Sequence, residues 1–265
     1  APADIAVVPS TLVGENLLNA ALGIGPGAGV VTDALHYDGS LALYGELRRR
    51  GAPVTVVRPR GDRIDLADVR AAITRDTRLV AVSLVSGVTG FTYDLAELCA
   101  LAHGRGALVY ADIIQAAGAT PIDVKASGVD FAACGTYKWL MGDFGTAFLY
   151  VRGDRLDRLR RVEVGWRQVT RQQSHVLPFE TAGPALGEYE LADSPAGRFE
   201  VSTPAWGALA VAQASLDYIL ALGVERIARR RQRRHCQPGD RGSPEHPGCR
   251  NRHPLPYREF DRLGL

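Results

Sequence analysis

Lysine is scarce in this chain of 265 residues: of 31 basic side chains only Lys125 and Lys138 are lysines, and the rest are arginines. A lysine amine can lose its proton and condense with a carbonyl group, whereas an arginine guanidinium stays charged. Covalent amine chemistry therefore has two candidates. Lys125 follows a Pro-Ile-Asp-Val turn and is predicted to be solvated, so such chemistry would depend on Lys138.

Polar side chains follow five strand-like runs at the points where the runs end. They lie at 9–11, 32–37, 83–89, 112–115 and 135–138. Because ligands bind beyond the carboxyl ends of parallel strands, we expect these residues to meet at one edge of a sheet. The edge would gather hydroxyl groups, the rings of His36 and Tyr37, the carboxylate of Asp112, the amide of Gln115 and the amine of Lys138. This set suits an aromatic, phosphorylated aldehyde.

The elements that would position these residues are short β-branched runs that alternate with longer amphipathic stretches. The runs predict strands at 5–8, 30–32, 54–57, 79–84, 107–111, 131–133 and 146–151. The stretches predict helices at 14–22, 40–50, 66–73 and 95–103. This alternation predicts an α/β fold with a mostly parallel seven-stranded sheet that helices cover on both faces.

Composition divides the chain into three parts. Residues 1–204 carry the alternating pattern and predict one large α/β domain, and 205–227 predict a crossover helix towards a smaller domain. Residues 228–265 are rich in arginine and proline and lack apolar periodicity, which predicts a basic, irregular tail. Ten arginines against four acidic residues give this tail a net charge of +6, so the rest of the chain carries −4 of the total of +2.

The N-terminus and the cysteines bear on the compartment. The first residues, APADIAVVPS, lack a basic segment followed by an apolar stretch, and no run of about 18 apolar residues occurs. Four cysteines far apart in the chain do not form a disulfide framework. We therefore predict a cytoplasmic protein without a membrane segment. A strand-like run that begins by residue 5, with no methionine at position 1, also predicts that the sequence starts inside a longer protein.

Three stretches resemble a known family. They are PSTLVGENL at 9–17, YADIIQAAGATPIDVKASGVDFAACGTYKWLMGDFGTAFLYVR at 110–152, and RFEVSTPAWGALAVAQASLDYILALGVERI at 198–227. With its D-x-x-Q and T-Y-K-W-L elements, the second resembles class V aminotransferase-like pyridoxal-phosphate enzymes, a group that includes cysteine desulfurases, isopenicillin N epimerase-like proteins and kynureninases. The resemblance runs from about residue 4 to residue 227. It implies the large domain of fold type I with an incomplete small domain, truncated at both ends.

The resemblance implies a role for each residue at the predicted edge. Lys138 would form the Schiff base with pyridoxal 5'-phosphate. Asp112 would pair with the pyridinium nitrogen, and Gln115 would hydrogen-bond the phenolic oxygen. Either His36 or Tyr37 would stack on the ring.

Further residues would complete the cofactor site. Ser10 and Thr11 would hold the phosphate together with the N-terminal amides of the helix that follows them. Thr203 would reach the phosphate of the neighbouring subunit, which implies a homodimer. Thr136, within the lysine motif, belongs to the same binding set. Many relatives contact the cofactor ring with an asparagine where this sequence has Gly87, and Ser86 or Thr89 would substitute for it.

The implied function is that of an enzyme that acts on an amino acid, with a lyase, epimerase or aminotransferase outcome. Tyr137 stands where many relatives have histidine, which argues against a desulfurase-type proton relay. Two alternatives stay open: a cofactor-binding fragment without turnover, and a nucleic-acid-binding protein that acts through the arginine-rich tail. No metal site is predicted, because the spacing of the tail residues matches no compact zinc module. These tail residues are Cys236, His246, Cys249 and His253.

Overall fold

A sheet of seven strands forms the centre of the protein, for which a computed structural model describes residues 2–172 and 189–235. The strands are β1 (Ile5–Val8), β2 (Gly29–Asp33), β3 (Val54–Val57), β4 (Thr77–Ser83), β5 (Leu108–Asp112), β6 (Phe131–Gly135) and β7 (Ala147–Val151). Their order is β1-β7-β6-β5-β4-β2-β3, and β7 alone runs against its neighbours. The predicted mostly parallel α/β sheet and its seven strands are confirmed.

Helices cover both faces of this sheet. They are α1 (Thr11–Leu22), α2 (Asp38–Arg49), α3 (Leu66–Ala72), α4 (Leu95–His103), α5 (Pro195–Phe199), α6 (Trp206–Leu222) and α7 (Val224–His235). Leu18 of α1 and Tyr44 of α2 pack in the core of one face, and Val69 of α3 and Leu98 of α4 pack in the core of the other. The central strands are thus buried on both sides, which explains why they form nearly continuous apolar runs in the sequence.

Side-chain caps determine where several helices begin. Ser10, Asp65 and Asp94 each accept a hydrogen bond from a backbone N–H in the first turn of the helix that follows. Such a bond satisfies one of the N–H groups that the first turn leaves without an intrahelical partner. The cap at Ser10 starts α1 directly after β1, and this brings the N-terminus of the helix to the edge where the strand ends.

The region after β7 contains elements that the sequence patterns did not predict. Two 3₁₀ turns, Gly153–Arg158 and Trp166–Gln168, lead into a small antiparallel pair of strands. This pair joins β8 (Val169–Gln172) to β9 (Tyr189–Leu191). Of the residues 205–227, for which one crossover helix was predicted, α6 takes up Trp206–Leu222, and α7 begins after Gly223.

Helix α7 corrects the predicted start of the irregular tail at residue 228, because it continues to His235. Ile227 of α7 packs against a small apolar cluster, and the guanidinium of Arg231 lies over the ring of Trp139. One face of this arginine-rich helix is therefore covered, since arginine stems can pack on apolar surface. No single helix in the described ranges is long and apolar enough to cross a membrane; α6 and Val224–Arg231 pass that test only together, across a bend of 71°.

A buried carboxylate holds the amino-terminal edge of the sheet together. Asp130, directly before β6, has a fully buried side chain and accepts from the backbone N–H of Val109 in β5 at 2.8 Å. It also pairs with His103 at 2.7 Å, Arg155 at 2.7 Å and Arg152 at 3.1 Å. One carboxylate thus joins α4, β5 and the segment after β7 at the edge opposite the predicted site.

We expect Asp130→Asn to lower the free energy of unfolding by about 3–5 kcal/mol, because it breaks a buried ion pair and leaves its partners facing an amide. Urea denaturation near neutral pH measures the loss. Asp154→Asn is the matched control, since Asp154 contacts Arg152 and Arg155 as well but is 62% exposed. The control should cost less than about 1 kcal/mol. Equal losses would show that burial of Asp130 is not the cause.

Candidate functional site

The parallel strands end at one edge of the sheet and bring the predicted residues to it. The β4–β5 register pairs Ser83 with Asp112, the last residues of their strands. Lys138 follows β6 at the same edge. Thr11, the first residue of α1, contacts this segment, because its Oγ1 accepts from the backbone N–H of Gly135 at 2.8 Å. The ends of β1, β4, β5 and β6 therefore meet around the lysine loop.

Lys138 is partly buried in the loop between β6 and β7. Burial lowers the pKa of its amine, although the negative charge of Asp112 acts in the opposite direction. A lowered pKa increases the share of neutral amine that can attack a carbonyl carbon. Lys138 and Asp112 are thus within electrostatic reach of each other, as expected for residues at one sheet edge.

Main-chain contacts hold the loop that carries Lys138. The buried hydroxyl of Thr136 donates to the carbonyl oxygen of Asp143 at 2.6 Å. Met141 has a φ of 53°, a left-handed conformation that is uncommon for a residue with a side chain, and its carbonyl accepts from Ser215 of α6 at 2.7 Å. The side chain of Thr136, which was predicted to bind the cofactor, is therefore engaged in closing the loop.

Asp112 ends β5 as a carboxylate that is only 3% exposed. Its Oδ1 accepts from the backbone N–H of Ile114 at 2.9 Å. Burial raises the pKa of Asp112 to about 6, while the charge of His36, the hydrogen bond from Ile114 and the charge of Lys138 act to lower it. A buried carboxylate of this kind is stabilised in its ionised form by a positive partner, and a cationic nitrogen of a ligand would be one.

A chain of contacts that begins on α7 orients Gln115. The guanidinium carbon of Arg231 lies 4.5 Å from the ring centroid of Trp139, and Arg231 donates to the carbonyl of Ala119 at 3.2 Å. The indole Nε1–H of Trp139 donates to Oε1 of Gln115 at 3.2 Å. Because the amide oxygen accepts from the indole, Nε2 is the group of Gln115 that can donate to a ligand. Nε2 lies 3.3 Å from the place that a Cβ on Gly87 would take, so a glycine there leaves it room.

The turn between β1 and α1 presents a helix N-terminus to the lysine loop. Ser10 caps the helix by accepting from the N–H of Val13 at 3.1 Å. First-turn N–H groups and the helix dipole favour an anion at this position. A Cβ on Gly135 would lie 2.9 Å from the ring of Tyr137 and 3.3 Å from Oγ1 of Thr11. The absence of a side chain at Gly135 is therefore what allows α1 to approach the loop so closely.

His36 and Tyr37, the two alternatives for ring stacking, lie in different surroundings. His36 is 1% exposed, and its Nδ1 and Nε2 lie 2.8 Å from Oγ of Ser83 and 3.3 Å from Oε1 of Glu15. Tyr37 is 55% exposed. A ring enclosed by protein has no open face for a ligand, so Tyr37 is the one of the two whose ring is accessible.

The other two predicted residues lie at the margins of this edge. Ser86 is buried, and its Oγ accepts from the N–H groups of Val88 at 3.2 Å and Thr89 at 3.3 Å, so it shapes the loop after β4. Thr203 is exposed and lines a cleft of about 510 Å³ together with Pro9, beside the turn that precedes α1. For both residues the family resemblance was the only signal in the sequence.

Glu15 and Trp139 have contacts at this edge that the sequence reasoning missed. An acidic residue in an amphipathic helix is ordinarily assigned to the solvent side, and Trp139 was noted only as part of the T-Y-K-W-L motif, with no role of its own. The spacing of Glu15 along the helix does indicate that it is buried. Together with Thr11, Leu18 and Leu22 it follows the i, i+4, i+7, i+11 pattern of one helix face, and all four residues are buried.

Metal chemistry finds no support in the part of the chain that the structure describes. No group of three or more histidine, cysteine, aspartate or glutamate side chains that could hold a metal occurs there. Cys99 and Cys134 are free thiols buried in the core. The tail residues considered above lie outside the described residues; they are Cys236, His246, Cys249 and His253.

Comparison with known proteins gives a family match over most of the chain. The family model of aminotransferase class-V matches residues 9–239. The chain is 31% identical over 225 residues to a probable cysteine desulfurase of Methanothermobacter thermautotrophicus and 34% identical over 220 residues to the kynureninase of Deinococcus radiodurans. These matches cover 84% and 81% of this chain and 53% and 49% of the relatives. The chain thus spans about half the length of these curated relatives.

Two solved structures with the same architecture share 25% or more of their sequence with this chain. A C-DES lysine mutant with glycine covalently linked to its PLP cofactor has a TM-score of 0.76 and 25% identity, over 88% of this chain and 60% of that one. The apo cysteine desulfurase of Thermococcus onnurineus NA1 has a TM-score of 0.71 and 27% identity, over 87% of this chain and 55% of that one. Both agree with the fold described above.

We expect Asp112→Asn to stabilise the protein at neutral pH. The pKa of about 6 in the folded state exceeds the ordinary 3.8, so the folded state holds the proton more tightly. The stability of the wild-type protein then falls as pH rises through this window, by up to about 3 kcal/mol at 1.36 kcal/mol per unit. Urea denaturation at several pH values should show a higher and flatter profile for the variant.

Asp123→Asn is the control, because the pKa of Asp123 is shifted in the opposite direction to that of Asp112. Asp123 is exposed, and the backbone N–H groups of Ala126 and Lys125 lower its pKa. Its contribution to stability is present above the unfolded-state pKa and is lost as pH falls through the folded-state pKa. This variant should therefore be less stable than wild type at neutral pH. Changes of the same direction in both variants would contradict the account of Asp112 as a buried charge.

Proposed function

The chain belongs to the class-V aminotransferase family, and from that premise we propose that it binds pyridoxal 5'-phosphate covalently through Lys138 and acts on an amino acid. The observation that carries the proposal is that Lys138 and Asp112 lie within electrostatic reach of each other at one sheet edge. Burial lowers the pKa of the amine and raises the pKa of the carboxyl. Oppositely shifted pairs of this kind cluster at functional sites.

The residues at this edge fit the cofactor group by group. Asp112 pairs with the ring nitrogen, because its buried carboxylate is stabilised by a cationic neighbour. Nε2 of Gln115 would donate to the phenolic oxygen, and the exposed ring of Tyr37 would stack on the pyridine. The N-terminus of α1 would receive the phosphate, where Ser10 and Thr11 supply hydroxyl groups beside the first-turn amides.

Pyridoxal phosphate, when bound, supplies an electron sink for the charge that develops at the α-carbon of an amino acid. The chain's own residues supply position and proton control. Asp112 keeps a proton on the ring nitrogen, and the amine of Lys138, with its lowered pKa, can hold or return a proton at the α-carbon. The names of the relatives, cysteine desulfurase and kynureninase, support an amino-acid lyase or transferase outcome.

We also propose that the protein forms a homodimer in which Thr203 of one subunit reaches the phosphate held by the other. Thr203 is exposed, and the cleft that it lines includes Pro9 and Val13 on either side of the phosphate turn. Large apolar side chains of α6 are exposed, among them Trp206 and Leu220. Exposed apolar surface of this kind supports a covered interface.

Lys138→Ala should abolish covalent cofactor binding, because it removes the amine that attacks the aldehyde. The measurement is the visible absorbance of protein mixed with pyridoxal phosphate, followed by borohydride reduction and peptide mass analysis. Lys125→Ala is the matched control, since these two are the only lysines of the chain, and it should behave as wild type.

A wild-type protein that shows no lysine-dependent absorbance would overturn this function. Modification of the peptide that contains Lys125 instead of the peptide that contains Lys138 would overturn the assignment of the amine. Addition of single amino acids to the loaded protein then separates turnover from binding. An absorbance that no amino acid changes would favour the alternative of a cofactor-binding fragment without turnover.

A mixing experiment tests the shared site. Thr203→Ala should weaken cofactor binding, and Lys138→Ala should prevent covalent attachment. A hybrid of the two variants contains one site with both residues intact, so mixing should restore tight binding to about half of the hybrid's sites. Light scattering of the mixture measures the subunit number. A monomeric protein, or a mixture that binds no better than its components, contradicts the dimer.

A further inference from the structure

Glu15 is a fully buried acidic residue in α1, directly behind the predicted cofactor edge. Its Oε2 accepts from the hydroxyl of Ser40 at 2.6 Å, and its Oε1 accepts from the hydroxyl of Tyr44 at 2.5 Å. Nε2 of His36 lies 3.3 Å from the same Oε1. Three side chains thus converge on one buried carboxyl group, so its hydrogen-bonding capacity is met within the protein.

The two ring nitrogens of His36 link Glu15 to residues at the predicted cofactor edge. Because Nε2 donates to Glu15, Nδ1 is left as the acceptor of the neutral ring. Nδ1 accepts from the backbone N–H of Tyr37 at 2.9 Å and lies 2.8 Å from Oγ of Ser83. Ser83 is the register partner of Asp112 across β4 and β5. One imidazole ring therefore connects Glu15 to the backbone of Tyr37 and to Ser83 at the end of β4.

The negative charges around His36 favour protonation of its ring. Burial opposes protonation of the ring, but the hydrogen bond and the charge of Glu15, with the charges of Asp112 and Asp33, outweigh it and raise the pKa of His36. A protonated His36 acts to lower the pKa of Asp112, whereas the charge of Glu15 acts directly to raise it. The groups that surround this part of the core come from five elements: Glu15 of α1, Asp33 of β2, Ser40 and Tyr44 of α2, Ser83 of β4, and Tyr110 and Asp112 of β5.

We propose that Glu15 is a positioning residue for the cofactor site, which acts through His36 to hold Tyr37 in place. The inference rests on the proposed function, because Tyr37 faces the cofactor only if pyridoxal phosphate binds at this edge. Glu15 itself does not touch the cofactor. Its effect passes through the two hydrogen bonds of the His36 ring.

A carboxylate in this position is not required for packing. Thr11, Leu18 and Leu22 lie on the same buried face of α1, and an apolar side chain at position 15 would continue that face. An apolar side chain would leave the hydroxyl groups of Ser40 and Tyr44 and the ring of His36 without this acceptor. The carboxyl group therefore fixes the orientation of His36.

Glu15→Gln in the full chain tests the proposal, because it keeps the shape and removes the charge. Two readouts are compared with wild type: the ¹⁵N shifts of the His36 ring during a pH titration of the protein without cofactor, and the dissociation constant for pyridoxal phosphate. The titration midpoint of His36 should fall. Cofactor binding should weaken about tenfold, the lower end of what outer partners of a bound group contribute elsewhere.

Two further variants make the test specific. Glu46→Gln is the matched control, because Glu46 is a more exposed carboxylate on α2 that pairs with Arg49 and Arg50, and it should leave both readouts unchanged. Ser83→Ala keeps Glu15 and His36 but removes the hydroxyl that contacts Nδ1 of His36. It should weaken cofactor binding in the same direction, and it keeps the test decisive if Glu15→Gln does not fold.

The outcomes separate this inference from the proposed function. Wild-type protein that binds no pyridoxal phosphate overturns the proposed function, whatever His36 does. Wild-type protein that binds it, with a dissociation constant unchanged in both Glu15→Gln and Ser83→Ala, overturns the inference alone. An unchanged titration midpoint of His36 in Glu15→Gln also overturns it, since a purely structural Glu15 would leave that midpoint in place.

Discussion

The burial of the Asp112 carboxylate is the constraint on which much of the site depends. A charge at the end of a central strand has lost most of its water, and burial alone raises the pKa of the group. The groups that oppose this rise are His36, Lys138 and the backbone N–H of Ile114. They come from the ends of neighbouring strands, so the charges can meet only because parallel strands end level at one edge.

Much of the fold and part of the site follow from local sequence patterns. Strands buried on both faces read as continuous apolar runs, and the lysine motif marks the loop after β6. Glu15 and Trp139 escaped prediction because their roles lie in contacts with residues far away in sequence, Glu15 with His36 and Trp139 with Gln115. A pattern read along one helix or loop contains no information about such partners.

Helix α7 illustrates a second limit of reasoning from composition. An arginine-rich segment without apolar periodicity is ordinarily solvated, and residues from 228 onward were predicted to be irregular for that reason. The long stem and flat guanidinium of Arg231 instead cover the ring of Trp139, while Ile227 packs on the apolar cluster. The C-terminal end of the helical region therefore depends on which face of α7 packs against the rest of the protein.

The reversed direction of β7 has a consequence for how the site assembles. β6, the loop that carries Lys138 and β7 form a hairpin, whereas pairs such as β4 and β5 need a helical crossover. A hairpin joins residues that are near in sequence, so less chain entropy is lost when it closes, and local contacts form fastest during folding. We expect Lys138 to reach its native loop before β5 brings Asp112 to the same edge.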